Sequence, residues 1–121
     1  MKTASKKILI ADDDAGIVDS ITMMLEMMDY DVAYTYDGAT VTEAVKNHTD
    51  LILLDIWMSG HDGREICKQL KSNAVTKDIP VLMISASRDI KQSALDAGAD
   101  DFLEKPFEMD VLLNKVDRLI H

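Results

Sequence analysis

The sequence predicts an α/β fold, a doubly wound five-stranded parallel sheet with helices on both faces. Short apolar runs alternate five times along the chain with longer segments whose apolar residues recur at helical spacing. Three of the runs, at 8–11, 51–54 and 81–84, are continuously apolar, which is typical of strands covered on both faces. We therefore expect a parallel sheet between two layers of helices.

Local signals place the individual elements. The runs interpreted as strands lie at 7–11, 32–34, 51–54, 81–84 and 101–104. The apolar positions at helical spacing are Ile17, Ile21, Met24, Leu25 and Met28 in the first helix, Val41, Ala44, Val45 and His48 in the second, Ile66, Cys67 and Leu70 in the third, Ile90, Ala94 and Leu95 in the fourth, and Met109, Leu112, Leu113, Val116, Leu119 and Ile120 in the fifth. Asp14 is expected to cap the first helix, Asp62-Gly63 to begin the third, and Ser87 to cap the fourth, which ends at Gly98.

Length and composition favour one domain over residues 1–121. Apolar residues make up 47% of the chain, which is enough for a core and too many for disorder. The net charge of −9 repels nucleic acid, so we expect no direct binding to DNA or RNA. No apolar stretch is long enough for a signal peptide or a membrane span, and the single Cys67 fits a reducing compartment; we expect a cytoplasmic protein that does not contact membranes.

Polar residues follow four of the predicted strands at the point where each strand ends. Asp12 and Asp13 follow the first strand, Asp55 the third, Ser85 the fourth and Lys105 the fifth. Right-handed crossovers and the flavodoxin-like order 2-1-3-4-5 place the switch point, where ligands bind, between strands one and three. Three carboxylates in one crevice repel one another and require a cation. Acids, a hydroxyl and an ammonium together suit one task, which is holding Mg²⁺ while a phosphoryl group is placed on a carboxylate.

Four motifs then resemble a known family, the receiver domain of two-component response regulators, in the single-domain form of chemotaxis-type regulators. The motifs are ILIADDD at 8–14, LLDIWMSGHDG at 53–63, VLMISA at 81–86 and GADDFLEKPF at 98–107. They occur in the family's order and cover nearly the whole chain. Two positions depart from the family pattern: Ser59 stands where proline is usual, and Trp57 stands where a smaller residue is common.

The resemblance implies a role for each strand-end residue. Asp55 is the phosphoacceptor and Mg²⁺ is the cofactor. Asp13 and Asp55 ligate the metal directly, Asp12 acts largely through water, and Trp57 adds its backbone carbonyl. Ser85 and Lys105 are expected to hold phosphoryl oxygens, with the lysine presented by a cis Lys-Pro bond. Bulky Trp57, flanking the approach of water together with Ser87, is expected to slow self-dephosphorylation.

The resemblance also implies a switch and a set of partners. On phosphorylation the Ser85 hydroxyl moves toward the phosphoryl group and Phe102 turns inward, which reshapes the face of the fourth helix, fifth strand and fifth helix. The alternative for Phe102 is an ordinary half-buried strand aromatic. The expected partners are a sensor histidine kinase or a histidine phosphotransfer protein, and a downstream protein target. The chain is expected to act as a signalling phosphoacceptor with self-directed chemistry and not as an enzyme.

Four methionines widen the apolar arc of the first helix. Met23, Met24, Met27 and Met28 extend it beyond the core positions. We interpret the arc as a broad core face, with a partner interface at Met23 and Met27 as the alternative.

Three other functions remain open on the sequence. An aspartate-nucleophile phosphatase usually has Asp-x-Asp at the nucleophile strand, whereas Asp55-Ile56-Trp57 lacks the second acid. A flavin-binding protein would need a Ser/Thr- and Gly-rich phosphate loop where Asp12-Asp13-Asp14 stands. The third alternative is a receiver-like binding module that works without phosphorylation. The chain is either a stand-alone regulator or the receiver part of a longer one.

Overall fold

Five parallel strands form the central sheet, in the order that the sequence predicts. The computed structural model describes residues 6–37, 41, 49–58, 60–87 and 90–120. The sheet runs β2-β1-β3-β6-β7 and consists of β1 (Lys7–Ala11), β2 (Asp31–Thr35), β3 (Leu51–Asp55), β6 (Val81–Ser85) and β7 (Asp101–Glu104). Two further strands of two residues each, β4 (Trp57–Met58) and β5 (His61–Asp62), pair as an antiparallel hairpin beyond the end of β3. Apart from this hairpin, which we did not predict, the order is the expected 2-1-3-4-5.

Four helices are described, α1 (Ala15–Met27), α2 (Gly63–Ser72), α3 (Lys91–Asp96) and α4 (Met109–Leu119). They correspond to the first, third, fourth and fifth predicted helices. Of the predicted second helix only Val41 lies within the described residues, and it is helical and buried. Asp14 caps α1 as expected, since its carboxylate accepts the backbone N–H groups of Gly16 and Ile17 at 3.0 and 3.2 Å.

The core lies on both faces of the sheet, because alternate residues of one strand point to opposite sides. Leu9, Ile52 and Leu54 pack on the side of α2 and α3, with Ile66, Leu70 and Ala94. Ile8, Ile10, Leu51 and Leu53 pack on the side of α1 and α4, with Val18, Ile21, Leu25, Leu112 and Val116. The prediction of strands covered on both faces is confirmed, and this packing fixes the positions of the residues at the strand ends.

Two local predictions are wrong. Ser87 does not cap the helix that follows it, because α3 begins only at Lys91 with Ile90 at the N-cap position; the Ser87 N–H instead donates to the Ser85 hydroxyl at 3.2 Å. Met23, Met27 and Met28 are not core residues, since they are 66%, 72% and 55% exposed. The helical phase that buries Val18, Ile21 and Leu25 turns Met23 and Met27 to the outer side of α1.

Candidate functional site

The predicted site residues meet at one edge of the sheet. Asp55 and Ser85 are the last residues of β3 and β6, Asp12 directly follows β1, and Lys105 directly follows β7. Because these strands are parallel and in register, with Ala11 opposite Leu54 and Asp55 opposite Ile84, all of their carboxyl ends lie at the same edge.

Three carboxylates of this edge form a cluster that suits a divalent cation. Asp12, Asp13 and Asp55 each offer an oxygen, and these oxygens lie within 4.8 Å of one another. Mg²⁺ binds oxygen ligands at about 2.0–2.1 Å, so ligands on opposite sides of the ion are roughly 4 Å apart. Asp12 and Asp55 are buried while Asp13 is exposed, which leaves the cluster open to solvent on one side. The donor set and its spacing therefore fit a magnesium ion.

Asp12 already has a hydrogen-bond donor on each carboxylate oxygen. Its Oδ1 accepts the Asp14 backbone N–H at 2.9 Å, and its Oδ2 accepts the Lys105 ammonium at 3.0 Å. A carboxylate bound in this way is held in place and has less freedom to ligate a metal directly. This geometry is compatible with the expected indirect role of Asp12 through water.

Lys105 places its positive charge between two of the acids. Its Nζ lies 3.0 Å from Asp12 Oδ2 and 3.8 Å from Asp55 Oδ1. Its backbone N–H donates to the Ser85 carbonyl at 2.8 Å, which ties the residue to the end of β6. The Lys105–Pro106 peptide bond is cis, as the resemblance implies. The alternative of a solvated lysine is excluded, since the side chain is only 18% exposed.

Asp55 has a raised pKa, which increases from 3.8 to about 6. Burial is the largest cause, and the neighbouring Asp12 charge adds to it. The Lys105 ammonium and the Trp57 backbone N–H act in the opposite direction, while Asp13 raises the pKa further. The carboxylate is therefore ionised near neutral pH, yet it is held in a site that disfavours its charge.

Ser85 and Phe102, the two residues predicted to act as a switch, are both buried. Ser85 is buried at the end of β6, and its hydroxyl accepts the Ser87 N–H. Phe102, at 7% exposure, packs into the core on the side of α2 and α3. Its ring is thus already inward, and movement of the pair between two states stays a prediction.

Two features of the site were not predicted from the sequence. Gly63 lies so close to the end of β3 that a Cβ at this position would stand 2.5 Å from the Asp55 carbonyl oxygen and 2.9 Å from the Ile56 Cα. Trp57 is 57% exposed, and the Arg64 guanidinium lies over its ring at 5.2 Å from the centroid. The Asp62-Gly63 pair was the only signal for the first feature, and no sequence signal marked the second. Ser59, the other unusual loop residue, lies outside the described residues.

Comparison with known proteins agrees with this geometry. The sequence matches the family model of the response regulator receiver domain over residues 8–117. The chain belongs to the response regulator receiver domain family.

Three similar proteins show how much of each chain the similarity covers. The DNA-binding dual master transcriptional regulator RpaA of Synechocystis sp. is 42% identical over 117 residues, which are 94% of this chain and 48% of that protein. The chemotaxis response regulator CheY4 of Vibrio cholerae has a TM-score of 0.89 at 28% identity, covering 97% of this chain and all of that one (100%). The receiver domain of the Francisella response regulator 1452 has a TM-score of 0.87 at 33% identity, covering 95% of this chain and 96% of that one.

The chain spans about half the length of the curated relatives it matches. DNA binding belongs to the RpaA protein by its name, and the expectation that the present residues do not bind nucleic acid stays a prediction. Among the described residues, no helix is both long and apolar enough to cross a bilayer.

Proposed function

We propose that Asp55 accepts a phosphoryl group from a phosphohistidine of a sensor kinase or phosphotransfer protein, and that Mg²⁺ is required. The observation that carries the proposal is the joint placement of Asp12, Asp13 and Asp55 with the Lys105 ammonium. Asp13 and Asp55 would ligate the metal directly, Asp12 through water, and Trp57 through its backbone carbonyl. When bound, Mg²⁺ neutralises charge on the phosphoryl oxygens.

The protein's own residues supply position and charge. One Asp55 oxygen forms the new bond to phosphorus while the bond from phosphorus to the donor imidazole breaks and the imidazole leaves. Lys105 lies within reach of the incoming oxygens because it already contacts Asp12 and Asp55. The Ser85 hydroxyl, at the neighbouring strand end, donates to another oxygen. Since the donor is already activated, positioning and charge compensation are sufficient.

The product is a phosphoprotein and not a released metabolite. We propose that the chain is a signalling phosphoacceptor whose chemistry is directed at itself, not an enzyme with a separate substrate. The added phosphoryl group attracts the Ser85 hydroxyl and favours one arrangement of Phe102. The surface that responds consists of α3, β7 and α4, which we call the signalling face, and a downstream protein would bind there.

A groove beside the site suits the phosphodonor. It has a volume of about 720 Å³ and is lined by Gly16, Ile17 and Ser20 of α1 and by Pro106 and Phe107 after β7. Lys105 also lines it, so a helix docked in the groove would bring its histidine to the acid cluster. Met23 and Met27 do not line this groove, although their exposure leaves them available to a partner that extends along α1.

Intact mass after incubation with acetyl phosphate and Mg²⁺ tests the proposal, with the Asp55→Asn variant as control. We expect the mass of one phosphoryl group, absent with EDTA and absent in the variant. Phosphate release is measured in parallel to detect an adduct that hydrolyses quickly. If neither a phosphoprotein nor released phosphate is detected, with acetyl phosphate and with a phosphorylated histidine phosphotransfer protein as donors, the result would support a phosphorylation-independent binding module. Multiple turnover of a phosphate ester would support the phosphatase alternative.

A further inference from the structure

One side chain, that of Arg64, connects the β4–β5 hairpin next to Asp55 to helix α3 of the signalling face. Arg64, the second residue of α2, binds the Asp62 carboxylate with two nitrogens, Nε to Oδ1 at 2.9 Å and Nη2 to Oδ2 at 2.7 Å. Its remaining Nη1 donates to the Ser93 hydroxyl of α3 at 3.1 Å. The Cζ atom of the same guanidinium lies over the Trp57 indole, 5.2 Å from the ring centroid. Three elements, the β4–β5 hairpin, α2 and α3, therefore meet at one arginine.

The geometry of these contacts limits how Arg64 can move. The two-nitrogen contact with Asp62 fixes the guanidinium plane, because a carboxylate matches two parallel N–H groups of arginine. Asp62 is itself fixed, since it caps α2 through the Arg64 backbone N–H at 2.9 Å and pairs with Trp57 across the hairpin. The Trp57 ring therefore contacts a guanidinium that is itself held by the Asp62 carboxylate and the Ser93 hydroxyl.

Trp57 is the residue through which this arrangement reaches the reacting group. It follows Asp55 by only two positions, and its backbone N–H lowers the pKa of the Asp55 carboxyl. The indole is more than half exposed, so burial alone leaves much of its surface without a neighbour. The Arg64 guanidinium, 5.2 Å from the ring centroid, covers part of it.

We propose that Arg64 is a positioning residue, which holds the Trp57 indole in a fixed orientation beside Asp55 and couples that orientation to α3 through Ser93. This proposal has two parts. The structural part is that Arg64 orients the Trp57 ring and couples it to α3, and it does not depend on phosphorylation. The kinetic part is that an oriented ring slows loss of the phosphoryl group, and it rests on the proposed function. Arg64→Gln frees the ring, and Arg64→Lys keeps the charge but removes the two-nitrogen contact.

Trp57 is the single tryptophan of the chain, so its fluorescence reports the ring without interference. Without any phosphodonor, we expect Arg64→Gln to lower the fluorescence anisotropy and to raise quenching by acrylamide, with Arg64→Lys between it and the wild type. Ser93→Ala should change both in the same direction and by less. The control is Lys77→Gln, which removes the charge of another exposed lysine, located after the end of α2. Wild-type values in Arg64→Gln would overturn the proposal, and wild-type values in Ser93→Ala would overturn the coupling to α3.

The decay rate of the phosphoprotein separates positioning from a purely structural role. We expect Arg64→Gln to accelerate decay about two- to fivefold, the range that an exposed cation–π contact corresponds to. In a Trp57→Ala background the same substitution should have no further effect, because its action passes through the ring. An equal acceleration in both backgrounds would overturn the kinetic part. If no phosphoprotein forms at all, the proposed function fails, whereas the fluorescence result still decides the structural part.

Discussion

Replacing Asp55 with Asn should stabilise the metal-free protein above pH 6. Burial and the Asp12 charge raise the pKa of this carboxyl from 3.8 to about 6, so the folded protein disfavours its ionised form. The difference between these two pKa values, at about 1.4 kcal/mol per pKa unit, limits the gain in unfolding free energy from Asp55→Asn to about 3 kcal/mol. Solvent screening at the open edge of the sheet reduces this, and we expect a gain of about 1–2 kcal/mol.

The pH dependence has a definite sign. The folded protein keeps the Asp55 proton to higher pH than the unfolded chain, so the free energy of unfolding falls as pH rises. The loss of unfolding free energy begins near the pKa of 3.8 that Asp55 has in the unfolded chain, and it is complete above its pKa of about 6 in the folded protein. Asn does not titrate, so the advantage of the variant should be near zero at pH 4 and should grow to its full size by pH 7.

Urea unfolding in EDTA, followed by circular dichroism from pH 4 to 8, measures this difference. Asp78→Asn serves as the control, because it removes an exposed carboxylate away from the acid cluster. Free Mg²⁺ at tenfold its dissociation constant should then stabilise the wild type by about 1.4 kcal/mol and Asp55→Asn by less, since the variant has lost a proposed ligand. An Asp55→Asn protein that is less stable than the wild type at pH 7.5, or a difference independent of pH, would refute the electrostatic reasoning.

Three further substitutions test the surroundings of the site. Gly63→Ala should cost about 1–3 kcal/mol of stability and slow phosphorylation, because the added Cβ would press on the backbone that ends in Asp55. Lys71→Met should cost about 1–3 kcal/mol in urea unfolding, since the Lys71 ammonium binds the Asp100 carboxylate and the Ile79 carbonyl, both at 2.9 Å. Trp57→Ala tests the expectation that the bulky ring restricts the approach of water: loss of the phosphoryl group, measured by intact mass against time, should accelerate.

Matched variants make these outcomes specific. Gly16→Ala adds the same methyl group near the start of α1, where it meets only the Asp14 carboxylate at 3.3 Å, and should be tolerated. Lys68→Met removes a lysine whose ion pair is exposed and should change stability by less than about 1 kcal/mol. Trp57→Phe should retain most of the slow decay. A stable, fully active Gly63→Ala, or equal effects at Lys71 and Lys68, would contradict the contacts described.

The strand-end residues could be predicted because parallel strands leave little freedom. Once β1, β3 and β6 are recognised as buried apolar runs, Asp12, Asp55 and Ser85 must lie at one edge. The same argument does not orient a helix. The widened apolar arc of α1 was interpreted as a broad core face, whereas the position of Val18, Ile21 and Leu25 turns Met23 and Met27 outward.

Contacts between residues far apart in sequence account for the rest of what was missed. Arg64 and Ser93 are 29 positions apart, and neither residue type implies the other. The two strands of the hairpin have only two residues each, which is too short for a hydrophobic alternation to be recognised in the sequence. Ser87 has the residue type of an N-cap, yet its N–H binds Ser85 and the helix begins later. The N-cap position of α3 is Ile90, three residues beyond the one that residue type predicts.

The charge balance of the site links its stability to its proposed chemistry. Among the described residues, three carboxylates of this edge face the Lys105 ammonium, and burial makes the resulting excess of negative charge unfavourable. A phosphoryl group brings further negative charge to the same place and would be repelled unless a cation compensates it. The buried negative charge that should make Asp55→Asn more stable without metal would therefore also make the proposed phosphorylation depend on Mg²⁺. Hydrophobic residues at these positions would give a more stable edge of the sheet, and an edge with no affinity for either group.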